Sequence, residues 1–183
     1  MEIPIGREIA AYLEGLTPAA HGETSWAGGT MPLRLTTYLS AFQAPIEYVS
    51  SVRCLLLKGT QVLVVRSSDN THHLLPGGRR EDGESLLETA KRELLEETGY
   101  TASAVRQLGI VHFHHLREAP AGYRYPHPDF LWLVFGGQAG ERVTQPGDDD
   151  WEAEVFYRPV DALADLTLSE GDHVFLQAAL RLP

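Results

Sequence analysis

Cysteine is almost missing from this chain: there is one, Cys54, among 183 residues. No intrachain disulfide can form, and no cysteine-built metal site can be assembled. A reducing compartment, the cytoplasm, is therefore the expected location. Cys54 lies in the apolar run Val52 to Leu57 and reads as a small buried hydrophobe rather than a nucleophile. Long hydrophobic runs are also lacking. The longest, such as Phe130 to Phe135, fall far short of the roughly 20 residues that cross a bilayer, so no membrane partner is expected. Residues 1–16 carry no basic stretch followed by an apolar one, and a secretory signal is not expected. Positive charge is scarce: 15 Lys and Arg face 25 Asp and Glu, a formal net charge of −10. A stable nucleic-acid partner calls for the opposite balance or a dense basic patch, and neither is present.

What is there suits an ordinary globular protein. Hydrophobic residues make up 43% and charged residues 22% of the chain, both near the globular average. The length suits one domain, or one domain with an extension, and can bury a core without staples. We divide it into an N-terminal extension, residues 1–45, and a domain, residues 46–183. In the extension, Ile5, Ile9, Tyr12, Leu13 and Leu16 fall at helical spacing. Thr17 to Pro32, rich in Gly, Pro, Thr and Ser, reads as a loop, and Leu33 to Phe42 fits helix or strand. In the domain, Val49 to Leu57 and Val62 to Arg66 read as strands around a hairpin turn. A helix is expected over about Ser85 to Thr98, stopped by Gly99. Val105 to Leu116, Phe130 to Phe135 and Trp151 to Tyr157 read as strands, and Val160 to Leu166 and Glu170 to Leu180 as helices. Strands interleaved with helices argue for an α/β or α+β sheet covered by helices.

The expected helix concentrates negative charge. Glu93, Glu96 and Glu97 stand at i, i+3 and i+4, so their carboxylates share an arc of about 100°. Leu87, Ala90 and Leu94 form an apolar stripe beside that arc, which puts the acids at a cleft edge; Lys91 and Leu95 point away. Crowded carboxylates raise each other's pKa. Arg92, four residues before Glu96, can relieve part of the repulsion. A hard divalent cation relieves more, because an oxygen donor set suits magnesium or manganese. Taken alone, three helical glutamates also fit a solvated acidic face.

The spacing around the helix narrows this. The order is Gly78, five residues, Glu84, seven residues, Arg92-Glu93-Leu94, one residue, Glu96-Glu97, one residue, Gly99-Tyr100. This 23-residue box resembles the signature of the Nudix (MutT-like) hydrolase family at every fixed position; Tyr100, where an aliphatic residue is usual, is a mild departure. A chance match in a chain of this length is on the order of one in ten million. The resemblance implies an α/β/α sandwich with a mixed sheet from about Tyr48 onward. It gives no counterpart for the extension, which a lid, a dimer contact or an ordinary packing element would equally explain.

The same resemblance implies Mg2+ as cofactor, with Mn2+ as alternative, held by Glu93, Glu96, Glu97 and the backbone carbonyl of Gly77. Glu84 and Arg92 would be orienting residues. The catalytic set is then Glu97, Glu93, Arg92 and Glu84, with Glu97 or Glu93 as general base. Glu152 is the rival base, among later candidates Asp148, Asp149, Asp150 and Glu154. Arg66 and Arg79, with Arg80, flank the site and can contact phosphates, though exposed surface arginine reads equally well. Phe113, Tyr125, Phe130, Trp132 and Trp151 offer stacking surface or core packing. His112, His114 and His115 suggest a metal cluster that no Cys or second patterned set supports. His127, in a stiff Pro-flanked loop, edges the pocket or simply turns the chain.

The expected reaction is hydrolysis of a diphosphate linkage in a nucleoside diphosphate joined to another moiety. The alternatives are a pyrophosphohydrolase of oxidised or ordinary nucleoside triphosphates and a non-catalytic Nudix-fold nucleotide sensor. A sensor typically loses box carboxylates, and here Glu84, Glu93, Glu96 and Glu97 all stand. An isomerase sharing the box needs a reactive cysteine, for which Cys54 is poorly placed. The expected partner is a small nucleotide-like diphosphate; dimers are common among similar proteins, so a homodimer is the further expectation.

Overall fold

The computed structural model describes residues 3–119, 121–123, 125–143 and 152–182. Helix α1 (Arg7–Leu13) buries Ile9. Strands β1 (Pro18–Trp26) and β2 (Met31–Leu39) form an antiparallel hairpin that ends with Trp26 opposite Met31. A short 3₁₀ turn, Ile46–Tyr48, leads into β3 (Val49–Lys58) and β4 (Gln61–Ser67). Gly59, at φ +59, lets these two strands join through two residues. Two short bridges follow, β5 (His72–His73) and β6 (Gly77–Gly78). Helix α2 (Leu86–Thr98), long strands β7 (Tyr100–His115) and β8 (Asp129–Arg142), strand β9 (Glu152–Pro159) and helix α3 (Glu170–Ala179) complete the described chain.

The strands form one mixed sheet in the order β1-β2-β7-β8-β3-β4-β5, with β6 added on β3 and β9 on β4. β3 and β8 run parallel, Cys54 opposite Phe135; the other described pairs are antiparallel. Alternation along the strands splits the core between two faces. On one, Leu55, Leu57, Val111, Phe113 and Phe130 pack against Phe175, Leu176 and Ala179 of α3. On the other, Val52, Cys54, Leu56, Ile110 and Leu133 pack against Ala90 and Leu94 of α2 and Ile9 of α1. Helices on both faces of a mixed sheet give the expected α/β/α sandwich. No described helix is long and apolar enough to cross a membrane.

Two local expectations are corrected. Pro18 to Trp26 is a strand, not a loop: an edge strand with only Ala20 buried has no alternating apolar pattern to announce it. Its pairing comes from β2, which itself pairs with β7. Val160 to Leu166 is a run of turns, closed by Ala162 N–H to Pro159 O and Leu166 N–H to Leu163 O, rather than a helix. Asp148, Asp149, Asp150, Trp151 and the side chain of Glu152 lie outside the described residues.

Candidate active site

Helix α2 starts where its sequence says it should. Ser85 accepts from the backbone N–H of Glu88, and the Glu88 carboxylate accepts from the backbone N–H of Ser85, a reciprocal cap. Gly99 ends the helix at φ 76, the left-handed conformation that favours glycine. Ala90 and Leu94 are buried, while Leu87 is 38% exposed; the apolar stripe is completed by Leu86, one residue earlier. That rotation also buries Thr98 and carries Glu97 inward to 8% exposure.

Arg92 is the hub of the acids. Its Nε donates to Glu84 at 2.7 Å, and one terminal nitrogen donates to both Glu93 at 2.9 Å and Glu96 at 2.8 Å. The other terminal nitrogen donates to the Arg79 carbonyl at 2.8 Å and to Glu84 at 3.1 Å. Glu84 also accepts from the Glu81 backbone and the Thr89 hydroxyl. The Arg92 hydrogen bonds, then the Glu81 N–H, hold the Glu84 carboxyl down at about 2. In turn Glu84, with Glu93 and Glu96, raises the Arg92 pKa. Glu93 goes the other way: burial pushes its pKa up against the pull of Arg92. Glu96 is the outermost, its side chain 56% exposed.

Glu97 faces the opposite way and accepts the Gly77 N–H at 2.5 Å. Gly77 is sterically required, and Gly78 leaves room for the Glu93 carboxylate. Gly77 stands at φ +143, and a Cβ there would run into the Val52 carbonyl and the Arg53 backbone. A Cβ at Gly78 would occupy the space of the Glu93 carboxylate. The turn is thus pressed between β3 and α2, with carboxylates on two sides.

A cavity of about 290 Å3 opens at this turn, lined by Gly77, Gly78, Glu97 and Arg79 and walled by Trp26 and Tyr125. The Arg79 guanidinium lies 4.4 Å from the centre of the Tyr125 ring. A larger cavity, about 790 Å3, adjoins it, and Arg53 and Trp132 line both. Trp26 packs on Phe113, Phe130 and Trp132 at centroid distances of 5.6, 5.4 and 6.2 Å.

The structure therefore brings Glu84, Arg92, Glu93 and Glu96 into one ion-pair cluster and sets Glu97, Gly77 and Arg79 on the cavity. Arg66 is not brought there: it donates to Glu154 at 2.8 Å and to Asn70, away from both cavities. Arg80 reaches back to the Glu84 carbonyl. Arg53, Trp26 and Tyr123, which also line the smaller cavity, were not anticipated from sequence. Arg53 had a signal, a single charge inside an apolar strand. Trp26 had none, because the hairpin that delivers it was read as a loop.

The histidines are structural in their contacts. His112 and His114 both bond Oδ1 of Asp129, at 2.7 and 2.8 Å, while Oδ2 accepts the Gly6 N–H and His114 also bonds the Ile3 carbonyl. This buried group ties the start of the chain to β7 and β8. Its donor atoms lie within 4.8 Å of one another, a spacing that a metal ion can also use. His115 bonds the Tyr123 hydroxyl and packs its ring at a tilt on His127, which in turn bonds the Arg117 carbonyl.

Comparison with known proteins agrees with this architecture. The family model for the NUDIX domain matches residues 47–179. A putative 8-oxo-dGTP diphosphatase of Bacillus subtilis is 45% identical over 96 residues, 52% of this chain and 60% of that protein. A putative ADP-ribose pyrophosphatase of the same species is 33% identical over 76 residues, 42% of this chain and 36% of that protein. The matches thus span less than two thirds of either relative. Among solved structures, a Bacillus subtilis pyrophosphohydrolase has a TM-score of 0.57 at 17% identity, over 88% of this chain and 95% of that one. A Nudix hydrolase from Nitrosomonas europaea gives 0.54 at 19%, over 71% and 87%. At these identities the structural likeness concerns the fold.

Proposed function

This chain belongs to the Nudix domain family, and from that membership we propose that it hydrolyses a diphosphate linkage in a small nucleotide-like substrate. The observation that carries the reading is the position of Glu97: a nearly buried carboxylate in the wall of a cavity that the glycine turn Gly77-Gly78 also lines. Nudix enzymes generally need a divalent metal ion. Their donor chemistry suits one: Glu93, Glu96, Glu97 and the Gly77 carbonyl offer oxygen donors only, the set that Mg2+ or Mn2+ prefers. These residues would hold it, with Glu93 and Glu96 turning from Arg92 and Glu97 from the Gly77 N–H to do so. When bound, the ion supplies charge neutralisation for the diphosphate and acidifies the attacking water.

The chain's own residues do the rest. Glu97 takes the proton of the attacking water as the new P–O bond forms and the bridging P–O bond breaks, the electron pair leaving with the departing phosphate. Glu93 is the second candidate for that base. Arg92, fixed by Glu84, orients Glu93 and Glu96. Arg79 contributes positive charge at the cavity mouth, whereas Arg66 serves the sheet edge. Residues 46–183 are the hydrolase domain in this reading, and residues 1–45 add the wall that carries Trp26. The location proposed is the cytoplasm, where the thiol of Cys54 stays reduced.

The linked moiety is the finer question. The match to the putative 8-oxo-dGTP diphosphatase favours a triphosphate reading as the second option, and the putative ADP-ribose pyrophosphatase favours the first. The test is a panel of nucleoside triphosphates, including oxidised ones, with ADP-ribose, nucleotide sugars and dinucleoside polyphosphates, in the presence of Mg2+. Turnover of one compound, abolished by EDTA and reduced at least about a hundredfold in Glu97→Gln, is the expected result. Turnover that survives EDTA and Glu97→Gln unchanged would overturn the reading.

A further inference from the structure

A buried polar group on the face of the sheet away from the larger cavity has no part in diphosphate chemistry. His112 and His114 are two apart on β7, so both rings project from one face, while Val111 and Phe113, which alternate with them, line the larger cavity on the other. Pairing of β7 with β8 sets His114 opposite Asp129 and brings that carboxylate onto the same face. None of the three side chains is more than 4% exposed. Their ligating atoms converge: His112 Nε2 and His114 Nδ1 both meet Oδ1 of Asp129, at 2.7 and 2.8 Å, and the donor atoms of the three residues lie within 4.8 Å of one another. Ligands bound to a tetrahedral ion stand roughly 3.3 Å apart, so these two contacts need open by only about half an ångström to admit one.

The surrounding groups are those that a bound ion requires. A metal-bound imidazole gives its other N–H to a carbonyl or carboxylate, and a metal-bound carboxylate is itself hydrogen-bonded. Here His114 Nε2 lies 2.8 Å from the Ile3 carbonyl, and Oδ2 of Asp129 accepts the Gly6 N–H at 2.6 Å. Glycine suits position 6, because a Cβ there would stand 3.2 Å from that oxygen. Hydrogen-bond supply points the same way. A neutral His114 has one N–H for two acceptors, Asp129 and the Ile3 carbonyl. Two neutral imidazoles also leave the charge of a buried carboxylate unbalanced. An extra proton on His114 meets both needs, and so does a divalent cation; three ligand atoms already aimed at one point favour the cation.

We propose that His112, His114 and Asp129 hold a zinc-type transition-metal ion, at a site separate from the one expected at the glutamates. Two imidazoles and a carboxylate suit Zn2+, Co2+ or Ni2+, whereas Mg2+ takes oxygen ligands. A set of three protein ligands leaves a further position to water. Because the backbones of Ile3 and Gly6 serve the outer shell, the ion fastens the start of the chain to β7 and β8. The site stands or falls independently of the hydrolase reading.

The test titrates Co2+ and Zn2+ into the metal-stripped full chain, as wild type and with Glu93→Gln and Glu97→Gln together, which weaken the glutamate site. Both proteins should bind an ion that excess Mg2+ does not displace, with the visible absorption bands of nitrogen-ligated Co2+. In wild type, Co2+ should perturb the backbone amide NMR signals of Gly6 and Phe130. Zn2+ at about a hundredfold over its Kd should raise the melting temperature by about 5 °C. His114→Gln and Asp129→Asn should each weaken Co2+ binding by about a hundredfold or more. Three results would overturn the assignment. One is that no ion binds and the Gly6 amide stays unmoved, which leaves an extra proton on His114 as the balancing charge. Another is an ion that perturbs only the Gly77 and Gly78 amides, the glutamate site. The third is undiminished binding in folded His114→Gln. The NMR measurement leaves the three residues intact, so it decides the matter even where a variant fails to fold.

Discussion

Four acceptors share one guanidinium at Arg92, and the consequence is readable in the titration of Glu84. Its carboxyl ordinarily titrates near 4.5 and is held at about 2 here, chiefly by the Arg92 hydrogen bonds. A depressed carboxyl stabilises the fold above its unfolded pKa, and the contribution is lost as pH falls through the folded value. Wild type should therefore melt above Glu84→Gln at neutral pH, and the gap should close between about pH 4.5 and about pH 2. Thermal melts of the two proteins across that range check it; a gap independent of pH would mean that Glu84 acts through shape alone. At this scale the sequence was legible wherever function depends on a fixed spacing, as with Arg92 and its partners. For Arg53 it gave only a hint, a lone charge in an apolar strand, and no role. A strand residue's role depends on what lies across the sheet face, and Trp132 comes from β8, far along the chain.

Helix α2 is the element that converts this spacing into geometry. Its caps and its apolar stripe are local properties, so its bounds could be read in advance nearly to the residue. The stripe was off by one position, Leu86 for Leu87, because helical periodicity fixes a face only to within about one residue. The hairpin of β1 and β2 shows the opposite case. Neither strand carries an alternating pattern strong enough to announce itself, and both exist because β7 offers an edge. Leu94, fully buried beneath the glutamates, joins α2 to the sheet. Leu94→Ala should cost about 2–5 kcal/mol of stability, for the lost methyl groups and the cavity left behind. Denaturant unfolding measures the loss. Activity of the remaining folded protein should fall as well, because Glu93 and Glu97 ride on the same turn. Full activity with full loss of stability would show that the glutamates are held by Arg92 and Gly77 rather than by packing.

Across the whole molecule, two buried imidazoles on the α3 face of the sheet respond to acid in a shared direction. On the α3 side His73 lines the large cavity, and burial, followed by the nearby Arg53 charge, lowers its pKa from 6.5 to about 4. His115 is lowered to about 4 as well, first by burial and then by His127. Both imidazoles are neutral in the folded chain while the unfolded chain protonates them below about 6.5. A lowered pKa means stability that is complete above the unfolded value and drains away as pH falls toward the folded one. The fold should thus weaken between about pH 6.5 and about pH 4, with His73 alone accounting for about 2 kcal/mol by pH 5. Denaturant unfolding at pH 7.5 and pH 5 measures the loss, and His73→Gln should remove its own share. Equal acid sensitivity in wild type and His73→Gln would place the neutral imidazole outside the balance of forces that keeps the cavity formed.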